Sequence, residues 1–343
     1  MGGAPQLPFG LSTSPGNLPV CAVDDAVEMA LRGRDFPTVP IPSVPSMSLA
    51  AQASTAFEGV FTLPTGALRL EADRFGVKPD AATELTGEGF EPLHAFLAAW
   101  PAAAERRPTV RGFRVDMAGP VTLALELAAG GLPLTQALDG ARVVSAMRAE
   151  ALIRATRTVE AERCVAVVMH EPRLVGAMHP TFPLSVRQVR SLLDPVVDAL
   201  DRAAGASPTL IGVHVAGRSD WRTIVTSGVS LVSLPPDAGL AGWAQWIQAL
   251  LDNGGFLAWG AVPVDRPLGT GEELIWRHLG ATWADLAAAG VDPELLRRRS
   301  LVTPADGLGH FAPEQVDGVM ALVDALGERV RRQATGPRIG VAT

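Results

Sequence analysis

One pattern constrains this chain more than any other. Short apolar, β-branched runs recur along it, and each is followed by a stretch with the spacing of an amphipathic helix. The runs fall at residues 9–14, 37–41, 110–116, 164–170, 210–214, 230–234, 256–262 and 300–303. The helical stretches fall at 22–32, 91–105, 141–162, 186–204, 221–227, 240–252, 272–289 and 314–333. Strands separated by helices run parallel, because each helix carries the chain back to the edge from which the next strand starts. Eight such units predict a single (β/α)8 TIM barrel over residues 1–334, with 335–343 as a frayed tail. Gly205, Gly228, Gly254 and Gly290 stand just past helical stretches, where a left-handed residue is needed, and Asp220 and Asp237 are placed to cap the next starts. Residues 59–70 interrupt the alternation and read as an inserted hairpin between the second strand and its helix. The second run holds Pro37 and Pro40, with Pro42 just beyond; proline donates no ladder bond, so this strand is the weakest of the eight. A doubly wound open sheet is the alternative architecture, but no Gly-x-Gly-x-x-Gly follows any run.

Composition narrows the function classes. Of the 343 residues 48% are hydrophobic and 19% charged, enough for a large core and incompatible with global disorder. Acidic residues outnumber basic ones 36 to 29, and no basic block occurs, which argues against a nucleic-acid partner. No uncharged apolar stretch of about 18 residues suggests a membrane span. The start, Met1-Gly2-Gly3-Ala4-Pro5, lacks the charged and apolar regions of a secretory signal, so a cytoplasmic protein is expected. The two cysteines, Cys21 and Cys164, are too few for a disulfide framework or a zinc ribbon.

In a barrel of this kind chemistry sits at the C-terminal strand ends. Those ends carry Ser12-Thr13-Ser14-Pro15-Gly16, then Arg114-Val115-Asp116 before Gly119-Pro120-Val121-Thr122, then His170-Glu171-Pro172 and His214-Val215-Ala216-Gly217. Ser233-Leu234-Pro235-Pro236-Asp237, Trp259-Gly260 and Thr303-Pro304-Ala305-Asp306-Gly307 complete the ring. A carboxylate such as Glu171 at the mouth could accept a hydrogen bond from a substrate amino group, or cap the following loop. Arg114 and Asp116, two apart on one strand, read as a salt bridge. Thr13 could offer its hydroxyl to a carboxylate, or only shape the tight turn at Pro15-Gly16.

The order and wording of these segments resemble the C-terminal barrel of cobalamin-independent methionine synthase, within the wider superfamily that includes uroporphyrinogen decarboxylase. The resemblance covers most of the chain, from Phe9 to Arg332, and further matching pieces are Phe36-Pro37-x-Val39-Pro40, Glu171-Pro172-x-Leu174 and Thr303-Pro304-x-x-Gly307-Leu308. It implies zinc held by a His and a Cys two residues apart after strand five, an acidic residue after strand six and a Cys at the end of strand eight. Homocysteine sulfur then joins the zinc and attacks a methyl group carried by a folate or a methyl-corrinoid protein. The cation supplies the thiolate that a free thiol lacks at neutral pH. His214 matches the histidine, but Ala216 and Asp306 stand at the two cysteine positions, and neither Ser233 nor Leu234 is acidic. The Asp expected before Glu-Pro is His170, and the Gly-Ser of the first turn is Ser12-Thr13.

The resemblance thus implies a methionine-synthase-like methyltransferase acting on a thiol such as homocysteine, with a degenerate or altered zinc site. His214, Asp306 and His170 would form a two-histidine, one-carboxylate metal set suited to harder ions. Glu171 and Asp116 would be catalytic, and Ser12, Thr13, Arg114 and Glu171 would bind the substrate. Two other readings stand beside it. One is a non-catalytic barrel that keeps the pocket for binding, or for complex formation with a protein partner or as a homo-oligomer. The other is a metal-free, decarboxylase-like relative that takes a carboxylated small molecule with Arg114, Arg173 and Arg218.

Overall fold

The computed structural model of the chain describes residues 7–265 and 271–335. Seven parallel strands form its main sheet: β1 (Leu11–Ser12), β2 (Gly112–Ala118), β3 (Cys164–His170), β4 (Thr209–His214), β5 (Leu231–Leu234), β6 (Phe256–Val262) and β7 (Ser300–Pro304). Their order is β1-β7-β6-β5-β4-β3-β2, with every neighbouring pair parallel. The larger helices are α1 (Val23–Leu31), α2 (Glu91–Arg106), α3 (Pro120–Ala129), α4 (Leu134–Arg157), α5 (Val186–Ala204), α6 (Ala244–Asp252), α7 (Glu272–Ala288) and α8 (Pro313–Thr335). The frayed tail expected at 335–343 lies, past Thr335, outside the described residues.

The sheet curls as in a TIM-type fold, but it does not close as an eight-stranded barrel. The expected second strand contributes a single parallel bridge, Thr38 to Arg114. Around it Arg114 N–H donates to Pro37 O (2.8 Å) and Val39 N–H donates to Arg114 O (2.8 Å). On the other side Ile41 N–H donates to Gly16 O, in a separate two-stranded patch pairing Asn17–Leu18 with Ile41–Pro42. Pro37, Pro40 and Pro42 have no N–H to donate, which leaves the ladders on both sides short, so the segment plugs the gap without becoming a full strand. The insertion expected at 59–70 does form an antiparallel hairpin, Val60–Thr62 against Leu68–Leu70.

Alternation along the strands sorts their side chains into two sets. Val115, Val167, Val213, Val232 and Val302 pack outward in the core shared with the helices. Ala166, Val168, Leu210, Leu231, Phe256 and Leu301 face the inside of the curl, where Leu11 and Phe36 join them. Two residues further along, the same inward positions turn polar: His170, His214, Ser233 and Thr303 follow Val168, Gly212, Leu231 and Leu301. The inside is therefore an apolar floor with a polar layer at the C-terminal mouth.

Local signals account for most helix ends. Asp220 accepts from Thr223 N–H at 3.1 Å as a true cap. Asp237 does not cap: the next turn, Leu240–Trp243, begins after Gly239 and has no side-chain cap. Ser185 and Gln188 form a reciprocal capping box at the start of α5.

Candidate functional site

Arg114 and Asp116 point inward from β2 and form the buried base of the polar layer. Arg114 Nε donates to Asp116 Oδ1 at 2.5 Å, and Gly16 N–H donates to Oδ2 at 2.9 Å. His170 Nε2 lies 3.0 Å from the same Oδ2 and 3.1 Å from Arg114 Nη2. One nitrogen cannot both donate to the carboxylate and accept from the guanidinium, so the ring's tautomer chooses between them. Burial alone would raise the Asp116 carboxyl, but the Arg114 guanidinium and the His170 ring outweigh it and hold the carboxyl well below the usual carboxylate range. Arg114 and Asp116 thus neutralise each other within the wall, although Arg114 Nη1 is buried without a hydrogen-bond partner among the described residues.

His214, on β4 beside β3, is buried and only partly satisfied. Its Nδ1 lies 2.8 Å from Ser233 Oγ on β5. Its Nε2 is buried, has no hydrogen-bond partner, and stands 3.7 Å from Asp306 Oδ1. That distance is a contact between facing groups rather than a hydrogen bond. Desolvation lowers the imidazole to a pKa of about 4, despite the raising pull of Asp306, so the ring is neutral at pH 7. The His170 and His214 rings lie side by side, centroids 4.8 Å apart.

Glu171 is fully buried and faces away from this cluster. Its Oε1 accepts from Val121 N–H (2.8 Å), and its Oε2 accepts from Thr122 N–H (2.7 Å) and Thr122 Oγ1 (2.6 Å). These are the free amides at the start of α3, so the carboxyl caps that helix from a different strand end. Burial nonetheless pushes its pKa up to about 7, against the pull of the three donors. Thr13 is buried with its Oγ1 3.4 Å from Thr38 Oγ1. Ser12 faces the other way, toward Gly327 of α8.

A cavity of about 510 Å³ opens over the polar layer, lined by His170, His214, Ala216, Asp306 and Thr122, with Thr65 and Leu68 of the hairpin on one side. A second cavity of about 710 Å³ shares Ala216 and Asp306 with it. Of the three arginines weighed as carboxylate binders, Arg114 is held by Asp116 and Arg173 by Glu126 (2.7 Å), while Arg218 is exposed. Ser233, noted in the sequence only as lacking the expected acidic group, enters the site as the hydrogen-bond partner of His214. Its signal was positional: it is the inward residue of its strand, in register with His214.

The residues do not fit a resident zinc ion. Among the described residues no three His, Cys, Asp or Glu side chains converge as a metal-binding group. His214 and Asp306 are brought together, but the third expected member, His170, turns its Nε2 to Asp116 and Arg114. Neither thiol supplies a substitute. Cys164 starts β3 at the far end, where burial raises its pKa to about 12, and Cys21 is exposed just before α1.

No family model and no curated protein matches the chain. Solved structures do. The B12-independent methionine synthase from Shewanella sp. W3-18-1, determined in complex with selenomethionine, aligns with a TM-score of 0.60 at 11% identity, over 95% of this chain and 98% of that one. A protein from Listeria monocytogenes described as a vitamin-B12 independent methionine synthase aligns with a TM-score of 0.52 at 9% identity, over 98% and 99%. The chain has a methionine-synthase-like fold. At such identities the likeness concerns the backbone path and carries none of the side-chain chemistry. No helix among the described residues is long and apolar enough to cross a membrane.

Proposed function

We propose that this chain is a methionine-synthase-like enzyme acting on a small amino-acid thiol of the homocysteine type, with a histidine–carboxylate pair in place of a thiolate-held metal. The observation that carries the reading is His214: a neutral, buried imidazole with an unpartnered Nε2, on a residue that lines the strand-end cavity with Asp306. With Nδ1–H donated to Ser233, the Nε2 lone pair faces the bound thiol. A base with a pKa of about 4 is too weak for this task by itself. Closing the 3.7 Å gap to Asp306 on substrate binding raises it, because the carboxylate stabilises the imidazolium. As sulfur forms its bond to the methyl carbon, the donor's bond to that carbon breaks with its electron pair staying on the donor, as Co(I) of a corrinoid or on a folate nitrogen that takes up a proton; the thiol proton passes to Nε2. The donor is a methylated folate or a methyl-corrinoid protein. The substrate class is carried over from a B12-independent methionine synthase that shares the fold over nearly the whole of both chains. The ion pairs that occupy Arg114 and Arg173 count against the decarboxylase-like reading.

The test is methyl transfer to homocysteine, with each donor, in the presence of a chelator. Chelator-resistant turnover is expected, with His214→Asn lowering kcat on the order of 100-fold or more while calorimetry still shows homocysteine binding. Homocysteine binding without turnover would make this a binding barrel. Turnover abolished by the chelator, or unchanged in His214→Asn, would refute the metal-free reading.

A further inference from the structure

Behind the wall of the strand-end pocket lies a buried cation with no counter-charge among the described residues. Arg148, on α4, is 5% exposed. Its Nη2 donates to Gln52 O (3.2 Å) and Thr55 Oγ1 (3.1 Å), and its guanidinium carbon stands 4.5 Å over the Phe90 ring. Among the described residues its Nε and Nη1 have no partner, and neither has Oγ of Ser145, three residues back on the same helix and 2% exposed. Desolvation lowers the Arg148 pKa to about 10, and no acidic neighbour offsets it. The other buried arginines differ in this respect: Arg114 pairs with Asp116, and Arg34 lies in the field of Asp317 and Asp324.

Arg148 and Ser145 line a cavity of about 20 Å³. That is room for one water molecule or one single-atom ion. Water would satisfy the donors and leave the charge; an anion would satisfy both, and an isolated buried charge is the costlier defect. We propose that this cavity is a binding site for a small monovalent anion, by its size a halide ion, held by Arg148 and Ser145. Leu49, Ala118 and Leu123 line both this cavity and the 510 Å³ pocket, so the ion sits one side chain behind the strand-end site. A substrate carboxylate reaching between those side chains is the other source of the same chemistry. The assignment does not depend on the proposed methyl transfer.

The test starts from protein in sodium gluconate, an anion too large for the cavity, titrated with chloride, bromide or formate at constant ionic strength. Halide is expected to raise the Tm saturably by about 2–4 °C, and Arg148→Met to abolish the rise. Crystals grown in bromide should show an anomalous peak within hydrogen-bond distance of Arg148 Nε or Nη1. If Arg148→Met does not fold, Ser145→Ala keeps the arginine and should weaken the halide response several-fold. Saturation by formate and not by halide keeps the anion site and assigns its source to a carboxylate. A Tm that is the same in all four salts, with only water in the cavity, overturns the proposal.

Discussion

His214 and Glu171 are both buried ionisable groups at adjacent strand ends, and their environments give opposite signatures in pH. His214 has a folded pKa of about 4 against an ordinary 6.5. Between those values the unfolded chain takes up a proton that the native ring refuses, so this contribution to stability is complete above pH 6.5 and is lost as pH falls toward 4. Glu171 has a folded pKa of about 7 against 4.5. There the native state holds the proton more tightly, so its contribution is complete below pH 4.5 and is lost as pH rises toward 7. Over the shared window the two slopes oppose each other and the wild type should be nearly flat. Glu171→Gln should unmask the histidine, with stability falling on the order of 2–3 kcal/mol from pH 6.5 to 4. His214→Asn should unmask the carboxyl, with stability falling from pH 4.5 to 7. Urea unfolding at several pH values checks both, and parallel profiles for the two variants would refute the assignment. At this scale the sequence was partly legible. Strand-end position placed His170, His214 and Asp306 at one mouth, but it could not show which way each ring turns. Glu171 was legible as a mouth carboxylate only in outline, because the amides it caps lie about fifty residues upstream, at Val121 and Thr122.

Strands and helices were legible where burial enforces a period, and obscure where it does not. Six of the apolar runs became long members of the sheet. The helix α3 was not expected: it opens with Pro120 at its first turn and is apolar nearly all round, so it shows no polar face to mark it. The start of β2 illustrates a constraint that no periodicity reveals. Gly112 has φ +139°, and a Cβ there would stand 1.7 Å from Cys164 O, on the residue with which it pairs in the ladder. Gly131, at the other end of α3, has φ +110° but open space around its missing Cβ. Gly112→Ala therefore combines backbone strain with a clash against main chain that cannot move without breaking the ladder, and should cost about 3 kcal/mol or more. Gly131→Ala carries the strain alone and should cost about 1 kcal/mol. Denaturant unfolding of the pair separates the two effects. Equal losses would mean that the close approach to Cys164 is relieved by a shift of β2.

At the scale of the molecule the open question for a curled seven-stranded sheet is what joins its two edges. The edges are β1 and β2, and the proline-bearing segment between Phe36 and Ile41 lies across the gap. Proline leaves it few main-chain donors, so side chains carry part of the seam. Thr38 Oγ1 donates to Ser14 O at 2.5 Å, and Asp116 reaches from β2 to accept from Gly16 N–H. The polar mouth layer is thus both the candidate site and part of the clasp that holds the curl shut. Thr38→Val keeps the shape and removes the hydroxyl, leaving a buried Ser14 carbonyl without that donor. A loss of about 1–2 kcal/mol is expected. Hydrogen exchange gives the sharper readout. If the seam opens as a unit, the amides of Val39 and Ile41, which donate across it to Arg114 O and Gly16 O, should exchange on the order of tenfold faster in the variant. Those of Val167 and Val213, in the middle of the sheet, should slow or quicken only with global stability. Acceleration spread evenly over all four would show that Thr38 supports the whole fold and that the curl is held by its core rather than by its clasp.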